Sequence, residues 1–393
     1  MTTTYEMDHT KLGDVLELLG REGFGGMGDA MRVLVNEIMK IQRSAHLRAA
    51  PHERTEHREG YANGYKPKTV KTRVGEITVA VPQTRGTDFY PSALEKGIRS
   101  EKALTLALAE MYIQGVSTRK VAAITEKLCG TDVTSMEVSR AAALLDESLE
   151  AWRNRPLSET PYLILDARYE KVRHGGQVVD CAVLIALGVT KSGHRSVLGC
   201  SVSLGEHEVH WRNFLRGLKE RGLCGVNFMV SDAHEGLKAA RRAMFPKVTW
   251  QRCQFHLQHN AQSYVPRTSM KTTVANDIRQ IFDASDDAEA KERLERFILK
   301  YKKTAPDLAT WAETALPEGL AVLKLPPEHR KRMRTSNMLE RLNKEIKRRT
   351  KVATLFPNEA SCLRLISAVL AEVSEEWESG RIYLNMETLN LKE

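Results

Sequence analysis

No part of this sequence stays apolar for long. The longest apolar run, CAVLIALGV (Cys181–Val189), covers nine residues, about half of the roughly 20 that a membrane-crossing helix needs, so no membrane span is expected. The opening MTTTYEMDHT is polar and acidic, where a secretory leader needs a basic start followed by an apolar stretch; no leader is expected. Cysteine is sparse. The six residues at 129, 181, 200, 224, 253 and 362 are scattered, which excludes a dense disulfide framework and suits reduced thiols in the cytoplasm. There is no fixed-period repeat and no long low-complexity tract. What remains is 393 residues, 42% hydrophobic and 28% charged, the make-up of a soluble globular chain with room for two or three domains.

The charge is unevenly placed. The formal net charge is +9, and a basic balance favours polyanionic partners, nucleic acid first. Between Arg330 and Lys351 ten Lys/Arg stand against only Glu340 and Glu345. That one segment therefore carries +8, nearly all of the surplus.

Along the chain, residues 1–50 have a helical pattern broken at Phe24-Gly25-Gly26, and residues 51–67 carry turn signals and read as a loop or linker. Val70, Ile77, Val79 and Val81 alternate around Gly75, predicting a β-hairpin. From Ser100 to Arg155 the pattern is helical, and within it a turn at Gly130-Thr131-Asp132 separates two short helices, the second starting near Ser135 and exposing Glu137 and Arg140. This fits a DNA-reading helix-turn-helix or a plain helical hairpin. From Tyr162 the order becomes β-β-β-α-β-α-β, ending in the strand VTWQRCQFH, which predicts a mixed five-stranded sheet covered by helices. After Asn260 the chain is helical again: Ser285 is the expected cap of a helix with Leu294, Phe297, Ile298 and Tyr301 on one face, and Ser336 that of the basic helix.

Two aspartates stand at strand ends, Asp166 in LILDARY and Asp232 closing FMVSD. A carboxylate after four apolar residues is costly unless paired or bound to a cation, although Asp232 alone would also suit a helix cap. Glu340 lies in the basic helix, with Asn337, Asn343 and Lys344 on its face; an i,i+4 pair with Lys344 is the plainer reading. Three carboxylates together suit Mg²⁺, with Mn²⁺ as its substitute, and two such ions assist phosphodiester chemistry. Cys253 and His256 form half of a zinc pattern, but no second ligand pair follows at a sensible spacing.

The run SDAHEGLKAARRAMFPKVTWQRCQFHLQHN (231–260) resembles the signature of Mutator-type bacterial insertion-sequence transposases. In it, Asp232, Gly236-Leu237, Phe245-Pro246, Gln251-Arg252-Cys253, His256 and Asn260 stand in the family's order. The likeness extends to QGVSTRKV (114–121), DARYEKVR (166–173), WRNFLRGLKERGL (211–223) and NMLERLNKEIKRRTKVATLFPN (337–358). It implies an α/β chain with an RNase H-like catalytic core, a helical insertion and an N-terminal helical DNA-binding region. The implied layout is 1–67 helical region and linker, 68–155 hairpin and helix-turn-helix, 156–260 first part of the core, 261–335 insertion, and 336–393 returning core helices. It also implies a DDE triad of Asp166, Asp232 and Glu340 that both catalyses and holds metal, with Cys253 and His256 beside it near the end of the fifth strand, taken to lie next to the first. Arg341, Lys344, Lys347, Arg348 and Arg349 would meet phosphates, and Arg119, Lys120 and Arg140 the element's terminal inverted repeats.

The implied activity is cleavage at the element ends and transfer of the freed 3′-OH groups to target DNA. The partners would be double-stranded DNA and at least one further copy of the chain, on the cytoplasmic nucleoid. A nuclease or resolvase that cuts without joining would use the same carboxylates, and an inactive derivative would only bind DNA.

Overall fold

The computed structural model describes residues 9–94, 96–97, 100–351 and 355–388. Residues 1–8 of the expected N-terminal region and 352–354 of the basic motif lie outside it. The chain divides between Leu144 and Leu145 into two compact units.

The first unit opens with α1 (His9–Glu22) and α2 (Met27–Leu47), parted by a 3-10 turn at Gly23–Gly26, where the glycine break was expected. The hairpin follows as β1 (Tyr61–Thr72) and β2 (Gly75–Arg85). Its alternating Val70, Ile77, Val79 and Val81 bury against Met39 of α2. β1 begins at Tyr61, inside the stretch read as a loop. Asn63-Gly64 marks not a chain reversal but a register irregularity between Ala62 and Tyr65, with Gly64 at φ 75°, the backbone that a bulge requires of its glycine. Three helices complete the unit: α3 (Lys102–Ile113), α4 (Thr118–Cys129) and α5 (Ser135–Ala143). Gly130 ends α4 in the left-handed conformation, and Thr134 opens α5 in a capping box with Glu137. Two short helices parted by a turn are therefore present where they were expected.

The second unit starts with α6 (Asp146–Arg153) and is built on β3 (Tyr162–His174), β4 (Gln177–Val189), β5 (Arg195–Ser203), β6 (Phe228–Ser231) and β7 (Thr249–Arg252). The sheet order is β5-β4-β3-β6-β7. β4 is antiparallel to both β3 and β5, while β6 is parallel to β3 and β7 to β6. Gly175 and Gly176, both at positive φ, make the two-residue turn from β3 to β4, which residues with a Cβ adopt at a cost. Buried on both faces, β4 accounts for the long apolar run.

On one face, α7 (Glu208–Glu220) and α8 (Glu235–Met244) bring Trp211, Leu215, Leu218 and Leu237 onto Leu163, Leu165, Leu184 and Met229. Gly236 lets α8 pass close to the chain before α7, because a Cβ there would overlap the Glu206 carbonyl oxygen. The opposite face takes α14 (Asn337–Thr350) and α15 (Glu359–Ser379). Between β7 and that return lies a helical insertion of α9 (Gln254–Ala261), α10 (Lys271–Phe282), α11 (Asp287–Tyr301), α12 (Pro306–Ala315) and α13 (Pro327–Met333). It has its own core around Leu257, Ile278, Phe282, Leu294, Phe297 and Leu308. The cap of α11 is Asp286 rather than Ser285: its carboxylate accepts from the Glu289 N–H, while Glu289 reaches back to Ser285. No helix among the described residues is long and apolar enough to cross a membrane.

Candidate active site

The two aspartates meet through strand register. The rungs of the parallel β3–β6 ladder pair residues 66 apart: Tyr162 with Phe228, Leu163 with Met229, Ile164 with Val230. Asp166 and Asp232 are also 66 apart and stand two residues beyond the last rung, level with each other. Period-two alternation puts them on the face of Tyr162, Ile164, Phe228 and Val230, away from α7 and α8. Asp232 does not cap α8. The cap position there is His234, and Asp232 Oδ1 accepts from the Ala233 N–H, at 2.6 Å.

α14 is fastened along this face by alternate residues of β3. Asn343 donates to Asp166 Oδ2 at 3.0 Å. Arg168 donates to the Asn343 carbonyl at 2.6 Å and to Glu170 at 2.5 Å. Thr350 donates to Glu170 at 3.2 Å. Glu340, one turn before Asn343, falls on the same side of the helix. It forms no ion pair with Lys344 among the described residues, and its Oε1 is buried without a partner. An orphaned buried carboxylate oxygen is expensive, and a cation or an added donor would relieve it. The three carboxylates are nevertheless not drawn into a ready-made cage: among the described residues no group of three or more His, Cys, Asp or Glu is gathered closely enough to hold an ion.

The electrostatics follow from burial. Asp166 is pushed up to about 6, first by desolvation, with the Asp232 charge adding to it and His256 opposing it. His256 is raised to about 9, first by the Cys253 side chain and then by Asp232 and Asp166, against burial. Burial acts to raise the Cys253 thiol, but His256 and Ser336 outweigh it and hold the thiol below its usual range. Cys253 and His256 thus stand beside the aspartates. The route differs from the one expected, because β7 is an edge strand paired with β6, not with β3. The Cys253 N–H donates to Ser231 O at 2.8 Å. Its sulfur accepts from both the N–H and the hydroxyl of Ser336, each at 3.3 Å. The Ser336 hydroxyl, expected to cap α14, is spent on this bond and makes no cap.

The neighbouring residues bind the insertion. The Gln251 and Gln254 side-chain amides both donate to Gly319 O, Gln251 accepts from the Val322 N–H, and Arg252 pairs with Glu318 at 3.1 Å. WQRCQFH is therefore the junction of sheet, insertion and returning helix. Ser336, Arg168 and the two glutamines were not foreseen. Arg168 had a signal in its even spacing from Asp166, but the others act across 65 to 83 residues, beyond any local pattern.

The basic segment splits in two. Arg349 was expected to meet phosphate, but its side chain is only 5% exposed and is held by Glu345 and, through two bonds, by Glu372. Arg348 is exposed yet forked onto Glu345. Arg341, Lys344 and Lys347 are exposed and make no ion pair among the described residues. In the first unit Arg119, Lys120 and Arg140 are exposed, whereas Glu137 is engaged in the α5 cap and by Lys71 at 2.9 Å, which withdraws it from the role of an exposed reading residue.

The pattern of the family described as Transposase, Mutator family, matches residues 2–380. The chain is similar to the transposase for insertion sequence element IS406 of Burkholderia multivorans, 58% identical over 92% of this chain and 94% of that one. It is 43% identical to the transposase for ISRM5 of Rhizobium meliloti, over 93% and 92%. It is 38% identical to the transposase for IS256 in transposon Tn4001 of Staphylococcus aureus, over 91% and 92%. Among solved structures, a simian T-cell lymphotropic virus intasome in complex with PP2A regulatory subunit B56 gamma matches 53% of this chain and 65% of that one, at 12% identity and a TM-score of 0.18, a superposition too loose to carry a structural argument. With a family match across nearly its whole length and relatives at 58% identity, this chain belongs to the Mutator family of transposases.

Proposed function

We propose that this transposase binds the terminal inverted repeats of its insertion sequence, cuts DNA at the element ends by metal-dependent hydrolysis, and joins the freed 3′-OH groups to target DNA. The second unit would be an RNase H-like core with a helical insertion. The observation that carries the reading is the pair of aspartates set level on adjacent parallel strands, where among the described residues neither serves a cap or an ion pair, with the unpartnered Glu340 oxygen on the helix packed over them. An all-oxygen set fits Mg²⁺ or Mn²⁺. A divalent cation in such a site supplies a lowered pKa for the attacking oxygen and neutralisation of the leaving one.

The chain's own residues do the rest. Asp166 offers ligand oxygens from within β3, which runs on to His174 and so is not at the strand end expected of it, Asp232 offers them from just past the end of β6, and Glu340 completes the set as ligand or water-orienting base. Asn343 fixes the rotamer of Asp166, and His256 balances the carboxylates with positive charge. Lys344, Lys347 and Arg341 meet phosphates on the same helix, while Arg119, Lys120 and Arg140 serve the helix-turn-helix on terminal repeats. Pairing two ends requires at least a dimer on DNA.

The test is Asp232→Asn assayed with Mg²⁺ on duplexes carrying the element's ends, scoring both nicked and joined products. Lost cleavage with retained binding supports the triad, and cleavage at the wild-type rate overturns it. Nicks from the wild-type protein without joined product would point to a nuclease instead.

A further inference from the structure

A second concentration of charge lies away from the carboxylates. Arg195, the first residue of the edge strand β5, is stacked between two rings: its guanidinium carbon is 4.3 Å from the centroid of Trp377 and 4.8 Å from that of Tyr383. Arg332 of α13 sits over the same Tyr383 ring at 4.5 Å. Arg341 of α14 comes near enough to act electrostatically on both Arg195 and Tyr383. Arg332 and Arg341 are exposed. Among the described residues none of the three forms an ion pair or donates a side-chain hydrogen bond, and Arg195 Nε is buried without an acceptor.

A cation–π stack that merely tied the end of the chain to the sheet would need one guanidinium. Three arginines with no carboxylate repel one another, and an anion would relieve that cost. Stacking covers the guanidinium faces and leaves their N–H edges as donors, the geometry that takes phosphate oxygens in forked hydrogen bonds. Arg341 follows Glu340 directly in α14, about 100° further round the helix, while Arg195 pairs with Val189, level with Tyr162 and four residues short of Asp166, so the cluster flanks the proposed cleavage site on one side.

We propose that Arg195 and Arg332, seated on Trp377 and Tyr383, together with the neighbouring Arg341, bind a backbone phosphate of the DNA that flanks the cut. This rests on the DNA reading above and adds a contact site built from three separate elements. DNA laid over Glu340 and across this end of the sheet would meet the cluster with a flanking phosphate, helping to hold the scissile bond in register.

The experiment uses the full chain and its Arg195→Gln, Arg332→Gln, Arg332→Lys and Arg341→Gln variants. Binding to an end-carrying duplex and to an unrelated duplex is measured across a salt series. Each Gln variant is expected to weaken both duplexes about equally, about tenfold at moderate salt, and to reduce the slope of log K against log salt by part of the roughly 0.9 that one phosphate carries. Arg332→Lys should keep the slope, and the exposed Arg332→Gln and Arg341→Gln should melt with the wild type, which separates charge from packing. Wild-type binding that the Gln variants leave unchanged overturns the site alone. No duplex binding by the wild type overturns the DNA reading and this site with it. Thermal protection by inorganic phosphate at constant ionic strength, lost in the variants while duplex binding stays intact, overturns the DNA source in favour of a free-anion site.

Discussion

Asn343 on α14 donates its side-chain N–H to Asp166 on β3 at 3.0 Å, joining the helix that carries Glu340 to the strand that carries the first aspartate. The bond aims Asp166 and sets the depth of α14 at one stroke. Outer partners of ligating carboxylates are worth about 10–100-fold in activity. Asn343→Ala is expected to lower end cleavage by that factor with duplex binding intact. Asn343→Asp should be worse, because it adds a further carboxylate, beside that of Asp232, to the buried Asp166. Cleavage rates with melting temperatures as a control decide it; equal activity of wild type and Asn343→Ala would remove Asn343 from the site.

Cys253 has an analogous part at the start of the same helix. Its sulfur is the acceptor for Ser336, so Cys253→Ala leaves two buried donors unpaired, at about 1–3 kcal/mol for such groups, and frees the first turn of α14. Cys253→Ser restores an acceptor. The expected order of both stability and cleavage is wild type, then Ser, then Ala. A role for the thiol in ligation or nucleophilic attack predicts instead that Ser and Ala fail alike. Denaturant titration beside the cleavage assay tells these apart.

The two kinds of basic residue on α14 should part cleanly under mutation. Arg349 is sequestered by Glu345 and Glu372, so Arg349→Met is expected to destabilise the second unit, by about 1–3 kcal/mol given that both acids keep some solvent, while the salt slope of DNA binding stays put. Lys347→Ala should do the opposite, leaving stability unchanged and lowering that slope by about 0.9. A reduced slope in Arg349→Met would mean that the ion pair opens for DNA.

That contrast marks where the sequence was legible. Hydrophobic periodicity is a local signal, and it gave the order of strands and helices in the second unit, the apolar β4 and the Leu294–Tyr301 stripe. The level placement of Asp166 and Asp232 was also within reach, since both end runs of apolar residues that read as strands. What could not be read was the choice of partner. Nothing in a run of ten basic residues tells Arg349, which turns inward to Glu372, from Lys347, which does not; that depends on where α15 packs. The turn signal Asn63-Gly64 became a bulge, because β1 pairs with the one strand β2 both before it, at Ala62, and after it, from Tyr65. The order of β7 next to β6 likewise depends on the crossover through α8, which Gly236 allows to run close.

Glu345 provides a test by acid. Its carboxyl is held down to about 2, first by the Arg348 hydrogen bond and then, against burial, by Arg349 and both charges. A carboxyl depressed in the folded state contributes stability above its unfolded pKa of about 4.3, and that stability fades as pH falls toward about 2. Glu345→Gln is therefore expected to be less stable than wild type at pH 7, by about 1 kcal/mol, since a third of the side chain faces solvent and screening weakens the pair. The difference should hold down to about pH 5, narrow through pH 4 and 3, and vanish near pH 2. Denaturant midpoints of the two proteins at successive pH values measure it. A gap that is constant with pH would mean that the ion pair contributes nothing and that the substitution acts through packing alone.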